Sequence, residues 1–160
     1  MTQLTLELGA QLLVQAGVES NQAAAESRLR ETINSGAALE RLEQMVKNHG
    51  GDLNAARRRG AVHEVTATES GHIHRVHNDR LGLAVIEMGG GRKKLGDQLD
   101  HSVGIECFVR LGDSVDAGQP VARVFCDDSS KAAYASELVA ASFVIGPDAQ
   151  VPDLVVETVS

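Results

Sequence analysis

The spacing of apolar residues changes once along this chain, near Ala61, and that change limits the folds open to it. Before this point apolar side chains recur at the three- and four-residue intervals typical of helices. After it they alternate in short runs rich in Val and Thr, separated by glycine turns, which is typical of strands. The sequence therefore predicts an α+β protein with a helical segment at residues 1–52, a linker at 53–60 and a mainly β domain at 61–160.

Three helices are expected in the first segment. The first ends at Gly17 and has a narrow polar stripe of Gln and Glu on an otherwise apolar surface, which is typical of a helix buried in something larger. The second is expected to begin with Ser20 as N-cap and to close near Gly36. The inner face of the second helix is predicted to hold Ala25, Leu29 and Ile33, and that of the third Leu39, Leu42, Met45 and Val46, with an end at Gly50-Gly51.

Three arginines, Arg57-Arg58-Arg59, stand at the end of the predicted linker. Such a run is compatible with an anion or nucleic-acid patch. Because the chain carries a net charge of -7, a solvated linker is the favoured interpretation.

Five strands and two helices are expected beyond Ala61. The helices extend from about Asp79 to Met88 and from Ser129 to Ser142, the second with Asp128 or Ser129 as its cap. The strands are AVHEVTAT (61–68), HIHRVH (72–77), IECFVR (105–110), PVARVF (120–125) and LVVETV (154–159).

Composition restricts the class of protein. Aromatic residues make up 2% of the chain, too few for base stacking, and the acidic balance opposes duplex binding, so no nucleic-acid partner is expected. No apolar run reaches membrane-spanning length, and the N-terminus does not resemble a signal peptide. Cys107 and Cys126 lie in apolar runs, where reduced, buried thiols of a cytoplasmic protein are expected.

The most specific pattern is Gly112-Asp113-x-Val115-x-x-Gly118-Gln119-Pro120. It predicts two sharp turns around a very short strand, with the next strand starting at the proline. This arrangement resembles the barrel-sandwich hybrid of biotinyl and lipoyl domains. A carrier domain needs a lysine on an exposed hairpin tip flanked by Met or Asp, and none of Lys47, Lys93, Lys94 and Lys131 has such neighbours.

For two other patterns a structural role is favoured over a metal site or a catalytic nucleophile. His72 and His74 are two residues apart on a predicted strand and could share a metal, but no third ligand accompanies them, so surface or half-buried histidines are expected. In Asp128-Ser129-Ser130-Lys131 a Ser–Lys nucleophile is conceivable, yet Asp and Ser are the usual caps of a first helical turn.

Three glycines, Gly89, Gly90 and Gly91, precede Arg92 and suggest a phosphate cradle. The spacing fits neither of the common glycine-rich phosphate motifs, and the glycines follow a helix instead of opening one. A sharp structural turn is therefore expected, with Arg92 as a weak candidate for contacting an anion.

Several of these stretches together resemble the C-terminal part of thymidine and pyrimidine-nucleoside phosphorylases. The resemblance covers essentially the whole chain. It rests on Leu83-Ala-Val-Ile-Glu-Met-Gly89-Gly-Gly-Arg92, Asp100-His-Ser-Val-Gly104, Leu111-Gly-Asp113-x-Val115, Gly36-x-Ala38-Leu39-Glu40-x-Leu42-x-x-Met45 and Gly50-Gly51-Asp52.

The resemblance implies an architecture more than a site. Residues 1–52 would be the last helices of a large α/β domain, and residues 61–160 an α/β-hammerhead, barrel-sandwich-hybrid-like domain packed on it. Family members cleave pyrimidine nucleosides with phosphate, giving the base and (deoxy)ribose 1-phosphate, through a K-x-S-T-G-G-type loop and an S-x-x-S-K-type segment. Neither motif is found here, so no catalytic residue carries over.

The resemblance leaves two hypotheses about function open. The chain is expected to belong to the enzyme class, to be inactive alone and to have the missing upstream portion, or a second copy bound through its N-terminal helices, as partner. The alternative is a stand-alone binding or scaffold module. No cofactor is expected; phosphate is a co-substrate of the full-length enzymes.

Overall fold

The computed structural model describes residues 2–157, which divide into two compact units. Residues 2–56 with 153–157 form the first, and Arg57–Pro152 form the second. The α+β class expected from the sequence is confirmed. Among the described residues no helix has both the length and the apolar character needed to cross a membrane.

The first unit contains the three expected helices. They are α1 (Thr2–Gln15), α2 (Gln22–Asn34) and α3 (Ala37–Asn48). Gly9 allows α1 and α2 to approach closely, because a Cβ at this position would lie 2.9 Å from Cδ1 of Leu29. Leu6, Ala10 and Ala25 are buried in this unit, whereas α3 contributes no buried residue.

Three details of the helix prediction are wrong. The face of α3 expected to be an inner one is exposed, with Leu39, Leu42 and Met45 at 56%, 41% and 52%. The N-cap of α2 is Asn21 and not Ser20. The backbone of Asn21 is extended, and its side-chain oxygen accepts a hydrogen bond from the Ala24 amide at 3.0 Å. Ile33 was expected inside but is 45% exposed and lies in the last turn of α2.

The second unit contains two three-stranded sheets and two helices. Its helices are α4 (Asn78–Met88) and α5 (Ser129–Ala140). All strand pairs are antiparallel, in the orders β1-β5-β3 and β4-β2-β6. The strands are β1 (Val62–Thr66), β2 (Gly71–Val76), β3 (Gly104–Cys107), β4 (Ser114–Val115), β5 (Pro120–Phe125) and β6 (Phe143–Gly146).

Strand prediction failed at two places. β6 was not expected, since Phe-Val-Ile-Gly directly follows α5 and a short apolar run does not distinguish strand from helix. The strand expected at 154–159 is absent over residues 154–157, because none of the described strands pairs with it; residues 158–160 lie outside the described part of the chain.

The core of the second unit is built from small aliphatic side chains. Ile73, Val121 and Val124 come from the sheets, and Met88 and Val139 from the helices. Ala84, Ala132 and Ala135 are fully buried and let α4 and α5 pack closely. Phe143 is the one aromatic residue among the described members of this buried cluster. Valine and alanine fill most of the core, in agreement with the few aromatic residues in the sequence.

Candidate functional site

Three loops meet beside the sheet β1-β5-β3 and contain most of the motifs singled out in the sequence. They are the glycine loop (residues 89–99), the turn from Asp100 to Gly104, and the segment 57–61 that leads into β1. A chain of backbone hydrogen bonds joins them. The Asp100 amide donates to the Gly89 carbonyl, and the Gly60 amide donates to the Ser102 carbonyl, each at 2.9 Å. We call this group of residues the loop cluster.

The glycines of the loop are required by its packing on α4. Gly89 ends the helix with a left-handed φ of 101°. A Cβ at Gly90 would lie 2.8 Å from Cγ1 of Val85, and one at Gly91 would lie 2.6 Å from Cγ1 of Ile86. The loop therefore folds back onto the last turn of α4, and glycine is the residue that leaves room for this.

The backbone amides of the glycine loop are used internally. The carboxylate of Asp97 accepts from the amides of Lys93 and Lys94, both at 3.0 Å. The Lys93 ammonium lies 2.6 Å from the Glu87 carboxylate. Arg92 is exposed, and no ion pair to it is found among residues 2–157. A loop whose amides already hold a carboxylate is a poor phosphate cradle.

Asp100 organises the next turn. Its Oδ1 accepts from the Ser102 hydroxyl at 2.6 Å and from the Ser102 amide at 2.9 Å. These two bonds, the hydroxyl first, hold the pKa of the Asp100 carboxyl below its ordinary range. The arrangement positions the Ser102 carbonyl to accept the Gly60 amide, which ties the turn to the segment that precedes β1.

We expect the Asp100 carboxyl to titrate below the ordinary value of about 3.9. Because its folded-state pKa is the lower one, ionised Asp100 stabilises the fold above that pH, and the contribution is lost as the pH falls through the folded-state pKa. Carboxyl-detected NMR titration measures this. Ser102→Ala should raise the pKa of Asp100, and Ser114→Ala, on the other sheet, should leave it unchanged; equal values in wild type and Ser102→Ala would contradict the assignment.

The segment before β1 is fastened by Asp127. One oxygen of its carboxylate accepts from the Ala61 amide at 2.8 Å, and the other pairs with the Arg58 guanidinium. Gly60 is buried against the strand end, where a Cβ would lie 2.9 Å from both N and Cα of Cys126. Arg58 is therefore ion-paired to the end of β5, with a side chain that is still 78% exposed to solvent.

An open cleft of about 180 Å³ lies beside the loop cluster. The Arg59 guanidinium stacks over the Phe125 ring, 5.1 Å from its centroid. Ser102 also belongs to the Asp100 turn, so the cleft borders two of the three loops. The lining residues are Arg57, Arg59, Ser102, Val103, Gly104, Ile105, Glu106 and Phe125.

The structure gives the two histidines separate surroundings. His72 is half-buried opposite Ser114 and Gly146. His74 is exposed at an irregularity in the pairing of β2 with β6, and its Nδ1 lies 3.0 Å from the Asp148 carbonyl oxygen. Among residues 2–157 no group of three or more His, Cys, Asp or Glu side chains is arranged to hold a metal ion.

The Gly112 and Gly118 turns have left-handed glycines, with φ of 92° and 81°. Asp113 closes the first turn by accepting the Arg110 amide at 2.8 Å, and β5 begins at Pro120. The Gly112 amide donates to the Ile73 carbonyl, and the Gly118 amide to the Ala67 carbonyl. Both turns are thus hydrogen-bonded to the chain around β1 and β2, and these polar groups have a structural role.

The remaining nucleophile candidates have structural surroundings. Asp128 caps α5 by accepting the Ser130 and Lys131 amides at 3.0 Å, which confirms the predicted cap. Cys126 is buried as expected, but Cys107 is exposed, because it ends the edge strand β3. Desolvation raises the pKa of the Cys107 thiol, which opposes a nucleophilic role.

Sequence reasoning missed two residues that hold the loop cluster in place, Gly60 within it and Asp127 beside it. The one local signal for Asp127 was the pair Asp127-Asp128 between a strand and a helix. A single carboxylate suffices for a helix cap, so the second is free for another task. Its partners, Ala61 and Arg58, lie 66 and 69 residues earlier in the chain, and nothing in the sequence connects them with Asp127.

Comparison with known proteins finds similarity to one family of enzymes. Residues 72–146 match the pyrimidine nucleoside phosphorylase C-terminal domain. The chain is 36% identical to a thymidine phosphorylase of Burkholderia lata over 98% of its own length, and 34% identical to one of Rhizobium meliloti over 92%. It spans 37% and 35% of those two relatives. Residues 72–146 are thus similar to the pyrimidine nucleoside phosphorylase C-terminal domain, within a chain similar to the C-terminal part of thymidine phosphorylases.

Proposed function

We propose that this chain is the non-catalytic C-terminal portion of a thymidine phosphorylase-like enzyme. The whole enzyme would cleave thymidine or another pyrimidine nucleoside with phosphate, giving the base and (deoxy)ribose 1-phosphate. The observation that carries the proposal is that the carboxylates of the sequence motifs are hydrogen-bonded within the fold. Asp97, Asp100, Asp113 and Asp128 each accept backbone amides of their own turn, which is structural work.

Phosphorolysis requires a phosphate held by fixed donors and a leaving base that is stabilised as the bond breaks. The Lys93 and Lys94 amides, the nearest approach to a phosphate cradle, are bound to Asp97. The proposed contribution of this chain is therefore a rigid support beside an active site built by the upstream portion. Phosphate enters this proposal as co-substrate of the full enzyme, and a cytoplasmic location is part of it.

The same proposal extends to the finer fold description. Two three-stranded antiparallel sheets and the tight turns at Gly112 and Gly118 support a barrel-sandwich-hybrid-like domain of the hammerhead kind. The exposed apolar side chains of α1 and α3, among them Leu12 and Leu39, would contact the upstream portion.

The test is an assay for phosphate-dependent thymidine cleavage by the purified chain. We expect no release of thymine above that in buffer, because the chain lacks the lysine-serine-threonine phosphate loop of the family and its glycine-loop amides are bound to Asp97. The full-length Burkholderia lata protein, named a thymidine phosphorylase, serves as the positive control. Turnover by the chain within about a hundredfold of the control, roughly 3 kcal/mol in activation free energy, would refute the non-catalytic assignment.

The second candidate is a stand-alone binding or scaffold module with a biotinyl- or lipoyl-like fold, which the same two sheets support. Its carrier version is opposed by the turn tips, which hold Asp113 and Gln119 instead of lysine. Lys93 is paired with Glu87, and Lys131 lies in the first turn of α5. Intact mass spectrometry of the chain from its native host should give the unmodified mass; an added biotinyl or lipoyl group would favour the carrier.

A further inference from the structure

The three consecutive arginines are divided between two tasks. Arg58 turns to the Asp127 carboxylate, which also binds the Ala61 amide. Its neighbours, Arg57 and Arg59, both line the cleft beside β3. Ion pairing among the described residues leaves these two guanidinium groups without a carboxylate. Two permanent positive charges therefore border one small concavity in a chain whose net charge is -7.

The cleft is partly preorganised. Asp127 binds the guanidinium of Arg58, the residue between the two arginines, and the amide of Ala61, two residues after Arg59. Gly60, between Arg59 and Ala61, is buried. Stacking on the Phe125 ring orients the Arg59 guanidinium and leaves its N–H edge for a ligand. Both devices reduce the side-chain entropy that ligand binding has to remove.

Size and charge define the ligand. A cleft of about 180 Å³ is smaller than the roughly 300–1,000 Å³ typical of sites for drug-sized molecules, so it suits a small ion or one charged group. Guanidinium groups bind planar or tetrahedral oxyanions through paired N–H donors. We propose that this cleft binds a small oxyanion group, phosphate or carboxylate, between Arg57 and Arg59.

Glu106 is the opposing charge in the cleft. It lies on β3 across from Arg123 of β5, whose guanidinium is close to Glu64 and stacks on Phe108. The ion pair of Arg123 is made with Glu64, and no ion pair to Glu106 is found among residues 2–157. Removing that carboxylate should therefore strengthen anion binding, whereas removing either cleft arginine should weaken it.

The test is an NMR titration of the whole chain with sodium phosphate, with sodium acetate and sodium chloride as separate arms at constant ionic strength. The signals followed are the backbone amide of Gly104 and the Nε–Hε groups of Arg57 and Arg59. We expect saturable shifts in the millimolar range with phosphate or acetate and none with chloride. The arm that saturates at the lower concentration identifies phosphate or carboxylate as the preferred group.

Four variants make the result specific. Arg57→Gln and Arg59→Gln should each raise the dissociation constant about fivefold, and Glu106→Gln should lower it. Arg92→Gln is the matched control, because Arg92 is an exposed arginine outside the cleft, and it should change nothing. Shifts that do not saturate, or an equal loss in Arg92→Gln, would overturn the proposal. The spectra of the variants report their folding at the same time.

Discussion

Replacing Gly60 with valine is expected to lower the free energy of unfolding by about 3 kcal/mol. Gly60 is buried, and a Cβ there would lie 2.9 Å from the backbone N and Cα of Cys126 and 3.1 Å from the amide nitrogen of Asp127. Backbone atoms cannot move aside as a flexible side chain can. The substitution must therefore push the segment before β1 away from the end of β5 and stretch the bonds to Ser102 and Asp127.

Gly82→Ala is the matched control for this substitution. Gly82 lies within α4, is exposed, and would place its Cβ in open space. Alanine there should raise the free energy of unfolding by about 0.5–1 kcal/mol, because it reduces the freedom of the unfolded chain. Urea denaturation followed by circular dichroism gives both values. A Gly60→Val protein as stable as wild type would show that the segment is not held against β5.

The position of Gly60 in the fold illustrates which features the sequence could predict and which it could not. The ends of α1, α2 and α4 were readable because Gly17, Gly36 and Gly89 act locally, on the residues just before them. The tight contact of Gly60 with Cys126 joins residues 66 positions apart, and the sequence around residue 60 does not predict it. Strand β6 was missed for a related reason, since it is recognised by pairing with β2 and not by its own four residues.

The candidate site followed the same rule. The sequence offered Arg92 as a weak candidate for contacting an anion, because it follows three glycines. It assigned Arg57, Arg58 and Arg59 to a solvated linker because the chain is acidic. In the structure the glycine-loop amides bind Asp97, and Arg57 and Arg59 are exposed but line one cleft. Which arginine has a carboxylate partner is decided by tertiary structure, and local composition does not reveal it.

The isolated chain is expected to self-associate through the apolar face of α3. Leu39, Leu42 and Met45 are 56%, 41% and 52% exposed, and together they form the face that the helical spacing predicted to be an inner one. In the proposed full enzyme the upstream portion would cover this face, and without it a second copy is the available cover. Sedimentation equilibrium should then show a concentration-dependent increase in mass above the 16.9 kDa of the monomer.

The double variant Leu42→Glu, Met45→Glu should weaken this association about a hundredfold or more. Each buried apolar side chain of this size contributes roughly 1.5–3 kcal/mol, and each 1.4 kcal/mol is a factor of ten in the dissociation constant. Leu95→Glu is the matched control, since Leu95 is 99% exposed in the glycine loop, and it should leave the association unchanged. A wild-type chain that stays monomeric while circular dichroism shows its helices intact would contradict the prediction. Equal weakening by Leu95→Glu would mean that the contact lies elsewhere than on α3.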